Sequence, residues 1–137
     1  LQGKLGDVNV EYRLQWDLLH ADANLMLGNT ESGYALYAKI ANRNLKRGDI
    51  QQRYAEALLL SNKKMRLREA LVQWRRVLVG YRPRSEQWYA AKFALAETYI
   101  RLGEREEAHQ RILYLKATSG LGNAAWTKKF QELLNRE

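Results

Sequence analysis

Arg68, Arg75 and Arg82 recur every seven residues. Seven residues of helix drift by only about 20°, so the three guanidinium groups stack as a ladder along one helical flank. Lys63, Lys64, Arg66, Arg76 and Arg84 crowd the same stretch. Guanidinium forks in such a row suit phosphates or an acidic partner. The plainer reading is that the stems cover a seam beside the core while the charged heads stay in water. No base-stacking aromatics interleave with these arginines, which favours the plainer reading over nucleic acid. The charge is regional. From Arg43 to Arg84 there are 12 basic and 3 acidic residues, a balance of +9 against +8 for the whole chain, so everything else sums to −1.

Other residues that could do chemistry do not assemble into a reaction centre. His20 and His109 are the only histidines and lie 89 residues apart, without metal-ligand spacing. Glu104, Glu106 and Glu107 gather at one point, but a first helical turn explains them, because the positive end of the helix dipole stabilises carboxylates. The chain has no cysteine, which removes disulfides, thiolate zinc sites and thiol nucleophiles. No phosphate loop, nucleophile elbow or dinucleotide fingerprint appears. These residues predict a chain that is not an enzyme and carries no cofactor or metal.

The elements that position these residues show a repeat. Tyr12, Ile50, Trp88 and Trp126 follow one another at a constant step of 38 residues. The same step links Trp16, Tyr54, Lys92 and Phe130, and also Leu19, Ala57, Leu95 and Leu133. Only Lys92 among these positions is not apolar. A period in this range marks stacked units, each with an apolar face it cannot bury alone. Such stacks usually bind other molecules.

Composition and punctuation make the units helical. One proline in 137 residues, with abundant Leu, Ala, Arg, Glu and Gln, favours helix, and runs of Val, Ile and Thr between turn residues are missing. Helices are expected at 9–27, 31–46, 49–62, 66–80, 85–102, 104–118 and 123–135. Asn9, Ser85, Asn123 and Asp49 are good N-cap types. Gly48, Gly80, Gly103 and Gly122 mark breaks, Gly28 to Gly33 reads as a longer turn, and Pro83 closes the fourth helix. In that helix Leu67, Ala70, Leu71, Trp74, Val77, Leu78 and Tyr81 form an apolar stripe at helical pitch. Trp88, Ala91, Leu95, Thr98, Tyr99 and Leu102 do the same in the fifth. The last carries Trp126, Phe130, Leu133 and Leu134 on one side and Lys128, Lys129 and Glu132 elsewhere, as a closing helix should. No apolar run approaches the roughly 20 residues needed to span a bilayer. The sequence begins at Leu1 rather than Met, which suggests a processed protein or a piece of a longer one.

From Leu95 to Ile112 the residues resemble a tetratricopeptide repeat, the helix–turn–helix unit with the pattern W-x2-L-G-x2-Y…A-x3-F…P. Leu95, Ala96 and Tyr99 take the Leu, small and Tyr slots, Gly103 falls at the turn, Ala108 takes the Ala slot, and Ile112 replaces Phe. One period earlier Tyr54, Ala70, Trp74 and Pro83 fit. In the first unit Trp16 and Leu19 match, but Ser32 stands at the Ala position. The step of 38 exceeds the family's period of about 34, so turns or helix ends are longer, and another all-helical repeat or bundle remains open as an alternative. The resemblance implies a single all-α domain over 1–137, a right-handed stack of antiparallel helix pairs. Its units would be 9–46, 47–84 and 85–122, with a capping helix at 123–137.

The resemblance also implies a groove lined by the first helix of each pair. By position this places Asp17 and Asn24 in the first unit, Gln52, Leu59 and Asn62 in the second, and Phe93, Glu97, Ile100 and Arg101 in the third. Such a mixed set suits a peptide held by side-chain hydrogen bonds and an apolar pocket or two. It requires Phe93 and Ile100 to be exposed. The expected function is a non-catalytic scaffold binding another protein or peptide. The alternative is a basic module binding nucleic acid or another anionic polymer through Lys63, Lys64, Arg68, Arg75, Arg76, Arg82 and Arg84. Self-association into a homo-oligomer is the third reading, since an uncovered first helix leaves an apolar face open.

Overall fold

Ser85 and Asn123 act as their types predict. The side-chain oxygen of each accepts from the backbone N–H three residues on, Trp88 at 3.2 Å and Trp126 at 2.9 Å. They start two of the seven helices in the computed structural model, which describes the backbone of residues 2–136 and the side chains of 8–136. The helices are α1 Gln2–Met26, α2 Thr30–Arg43, α3 Gly48–Leu59, α4 Lys64–Val79, α5 Glu86–Arg101, α6 Arg105–Thr118 and α7 Ala124–Asn135. There is no strand among the described residues. Neighbouring helices pack in sequence order within two compact units, one running to Ile50 and the other starting at Gln51.

In the first unit α1 and α2 form an antiparallel hairpin. Tyr37 donates to Asp22 and Arg47 reaches Glu11, so partners move backward along α1 as the chain advances. Leu14, Leu18 and Ala21 of α1 are buried, as are Tyr34, Tyr37, Ile40 and Ala41 of α2. The close approach falls at Gly33. A Cβ there would lie 2.6 Å from Leu25 Cδ2 and 3.2 Å from the Ala21 carbonyl oxygen. The expected long turn from Gly28 to Gly33 is therefore shorter, and Gly33 is a packing residue in the first turn of α2, one place past Ser32. Asn9 is no cap. It lies inside α1, which begins seven residues earlier at Gln2. Asp49 lies inside the first turn of α3 with its carboxylate held by Arg47.

In the second unit, Gln73 of α4 is buried and donates to Gln51 of α3, at 2.9 Å to its carbonyl oxygen and 2.8 Å to Oε1. A buried amide paired in this way avoids the cost of an unmet donor. Five of the seven stripe residues expected on α4 are buried, Leu67, Ala70, Leu71, Trp74 and Val77; Leu78 is half-buried and Tyr81 lies past the helix end. α5 is the central element, packing on α4, α6 and α7. At about 100° per residue, its wheel divides into three sectors. Ala91, Ala94, Thr98 and Leu102 occupy one, and Trp88, Lys92, Leu95 and Tyr99 the next. Tyr89, Phe93, Ala96 and Ile100 form the third, which joins a core cluster with Trp126, Phe130 and Leu133 of α7.

Candidate partner-binding surface

Of the nine residues expected in a groove, Asp17 and Asn24 belong to the first compact unit and the other seven to the second. Phe93 and Ile100 are only half-exposed and pack against the cluster shared with α7. The Phe93 ring meets Phe130 edge-on at 5.6 Å and Trp126 at 6.1 Å. These two side chains serve packing inside the unit and are not open pocket walls. Gln52 donates to Glu56 at 2.8 Å and accepts from the Tyr81 hydroxyl. Arg101 donates to the Ser61 carbonyl at 2.8 Å, which brings it to the turn that carries exposed Asn62. Leu59 and Glu97 are half-buried. In the first unit Asp17 and Asn24 are half-buried on α1, Asn24 donating to the His20 carbonyl at 3.0 Å.

Arg68 and Arg75 lie on α4, but Arg82 lies past the helix end at Val79, so the three-rung ladder does not form, and its two helical rungs are taken. Arg68 pairs with Glu104 at 2.9 Å, and Arg75 donates to the Tyr99 hydroxyl at 2.6 Å. Glu104 thus ties α4 to the start of α6 and does not cap that helix. Arg66 pairs with Glu69 at 2.9 Å. Lys63, Lys64, Arg76, Arg82 and Arg84 are exposed. Arg84 sits at φ 70°, a left-handed conformation in the turn between α4 and α5.

The surface that stands out is on α1. The residues at 12, 16 and 19 share the repeat phase of Trp126, Phe130 and Leu133. Those three are 8%, 0% and 0% exposed, whereas Tyr12, Trp16 and Leu19 are 75%, 57% and 59% exposed. Val8 and Met26 are exposed as well. On the helical wheel Val8, Tyr12, Trp16, Leu19, Ala23 and Met26 fall within about 80°. The buried side chains Leu14, Leu18, Ala21 and half-buried Leu25 lie nearly opposite. α1 is therefore apolar on two faces, and α2 covers one.

Polar residues frame this stripe. Asn9, Arg13 and His20 are exposed along one edge, with the Trp16 and His20 rings 5.8 Å apart. Tyr12 and Trp16 join Asn9 and Arg13 around a shallow depression. The other edge is pinned. Gln15 donates to Glu11 at 3.1 Å, and Arg47 binds Glu11 at 2.8 and 3.3 Å and Asp49 at 3.0 and 2.9 Å. The Arg47 hydrogen bonds hold both carboxyl groups below their ordinary values, and those bonds, Asp49 before Glu11, raise Arg47. This clamp ties α1 to the chain entering α3.

In chemical terms the surface offers apolar area and two aromatic rings. Groups of three or more acidic or histidine side chains able to hold a metal are absent among the described residues, and no described helix is long and apolar enough to cross a membrane. Tyr12, Trp16 and Leu19 stand in the 38-residue sequence pattern, in which an uncovered first helix leaves an apolar face open. The signal was present in the alternation of Leu14, Leu18 and Ala21 with Tyr12, Trp16 and Leu19, which marks two apolar faces on one helix. Comparison with known proteins finds no matching family model, no similar curated protein and no similar solved structure.

Proposed function

We propose that this chain is a non-catalytic, tetratricopeptide-like scaffold that binds another protein by docking a partner helix on the exposed face of α1. The observation that carries this reading is the exposure of Tyr12, Trp16 and Leu19 at repeat positions that are buried in α7. The two aromatics and their aliphatic neighbours expose on the order of 500 Å² of apolar surface, at the upper end for the largest patch of a typical monomer. The chemistry of the occupant is suggested by what α7 meets in the same phase. It meets α5, which offers Tyr89, Phe93, Ala96 and Ile100, and a carboxylate, Glu86, that accepts from Trp126 Nε1 at 2.9 Å. Tyr12 occupies the phase of Trp126. The fitting partner is thus an amphipathic helix with an acidic first turn and apolar residues spaced as in α5, its acid facing Tyr12 or the basic edge of Arg13 and His20.

A head-to-tail second copy fits less well. One period on from Tyr89, Phe93 and Ala96, α7 has Thr127, Gln131 and Leu134, so two of the three positions on that phase are polar. Nucleic acid binding is also less favoured, because Arg68 and Arg75 already have partners within the chain.

A synthetic peptide covering residues 85–102 is the direct probe, titrated into the full chain and followed by amide chemical shifts. Saturable shifts at Val8, Tyr12, Trp16 and Leu19 that vanish in Trp16→Asp are expected. Shifts confined to α7, or none, would overturn the proposal. So would a sedimentation mass that doubles with concentration in the wild type and not in Trp16→Asp, since the face would then belong to a second copy.

A further inference from the structure

Lys92 is the one side chain that breaks the repeat. The residues at its phase are Trp16, Tyr54 and Phe130, so an ammonium stands where the pattern places an aromatic ring. It is half-buried on α5, with Nζ 5.1 Å from the centre of the Trp88 ring. No described carboxylate pairs with it, and its one charged influence is another cation, Arg111 of α6. Burial pushes the Lys92 ammonium below the ordinary lysine range, and Arg111 pushes it the same way. Both influences disfavour the charged form of Lys92, so an anion bound beside it would favour that form.

The two cations line one cleft. It has a volume of about 400 Å³ and is walled by Trp88, Leu95, Tyr114 and Leu115, within the size range of small-ligand sites. Arg111 packs 4.9 Å from the Tyr99 ring and uses Nε for Glu107 at 3.1 Å. A guanidinium has five N–H donors, so four remain beyond that bond. Thr118 and Ser119 also line the cleft, the Thr118 hydroxyl donating to the Tyr114 carbonyl at 2.8 Å. Cationic donors beside aromatic and aliphatic walls recognise a charged head on an apolar body.

We propose that the cleft between α5 and α6 binds an oxyanion, carboxylate or phosphate, carried on an aromatic body. The head sits between Lys92 and Arg111, and the ring lies against Trp88 and Tyr114. All of these groups belong to α5 and α6, so the inference stands apart from the α1 docking face. A purely structural role for Lys92, with its stem covering Trp88, makes opposite predictions.

The test is calorimetric titration of the full chain with indole-3-propionate, its neutral amide, phenyl phosphate and inorganic phosphate. Indole-3-propionate, phenyl phosphate or both should saturate, and whichever binds identifies the head. The amide should bind roughly 10- to 100-fold more weakly, the loss expected for one charge-assisted hydrogen-bonded head. Lys92→Met should lose affinity by a similar factor yet unfold at higher temperature than wild type, and Lys92→Arg should retain binding. Arg111→Gln provides an independent loss of affinity if Lys92→Met folds poorly. Equal binding of the amide, equal binding of inorganic phosphate alone, failure of both aryl anions to saturate, or a Lys92→Met chain that binds normally would overturn the assignment.

Discussion

Trp126 and Tyr12 stand at the same phase of the 38-residue step, and their removal should have opposite consequences. Trp126 is 8% exposed, packs on Phe93, Phe130 and Tyr89, and gives its indole N–H to Glu86. Truncating such a ring costs about 3–5 kcal/mol, combining lost transfer energy with the cavity left behind. With a urea slope near 2 kcal/mol/M, the unfolding midpoint of Trp126→Ala should fall by about 1.5–2.5 M. Tyr12 is 75% exposed, and alanine is the better helix former by a few tenths of a kcal/mol. Tyr12→Ala should therefore stay within about 0.5 kcal/mol of wild type, a midpoint shift of roughly 0.3 M or less. Urea titration followed by circular dichroism at 222 nm reads both. Because the helices fall into two compact units, two unfolding steps are compatible with the prediction, provided each substitution moves only the step of its own unit. A loss above about 1.5 kcal/mol for Tyr12→Ala would show that the α1 face is packed in the free chain, and the docking proposal would fail with it.

Three further outcomes are expected. Glu11 and Asp49 are held low by Arg47, so their stabilising effect is complete above the ordinary carboxylate range and is lost as pH falls through their depressed folded values. Carboxyl-carbon chemical shifts should show both titrating below normal, and Arg47→Leu should return them to ordinary behaviour. If they titrate normally in the wild type, the clamp is absent in solution. Gly33→Val should cost at least about 2 kcal/mol by calorimetry, because its Cβ alone would lie 2.7 Å from Leu25 Cγ and packed interiors resist added volume; a neutral result would contradict the α1–α2 crossing. Arg84 occupies φ 70°, where a Cβ costs on the order of 1 kcal/mol, so Arg84→Gly should raise the melting temperature. A fall would mean that the arginine side chain makes a contact worth more than the strain.

The sequence was most readable where a residue's role is local. Ser85 and Asn123 were recognisable as caps from type alone, because the bond each makes spans only three residues. The α4 stripe was visible because its six apolar residues from Leu67 to Leu78, at helical pitch, have one face to bury. Less could be read at α1. Asn9 looks like a cap, yet nothing in its neighbourhood ends the helical pattern before Gln2, and the helix runs through it. The groove residues were placed by analogy of position, and Phe93 failed to stay open because α7 lies against it at 5.6 Å between rings, a long-range contact that spacing within α5 cannot reveal. Of the expected ladder, Arg68 and Arg75 share α4 but Arg82 falls past the helix end, and the partners Glu104 and Tyr99 are 36 and 24 residues away. Ser32 was one residue off, because helix crossings are set by volume and Gly33 is the smaller residue.

α1 and α7 carry different residues at matching phases of the 38-residue sequence step, and the difference has a physical meaning. A helix packed between neighbours on two sides needs two apolar sectors, one toward each. α5 has both, with Tyr89, Phe93 and Ala96 meeting α7 and Ala91 and Ala94 buried in another sector. α7 keeps the first sector in Trp126, Phe130 and Leu133 but carries Thr127 and Gln131 in the second. Polar residues there remove the tendency of that face to associate. Nothing equivalent occurs on α1, where Tyr12, Trp16 and Leu19 retain the sector that in α7 meets a neighbour. Replacing them with polar residues would be nearly neutral for the hairpin, since Leu14, Leu18 and Ala21 already supply its buried face. Keeping two aromatics in water therefore brings the isolated hairpin no stability and adds an aggregation hazard. The stripe makes physical sense when a helix outside the hairpin covers it.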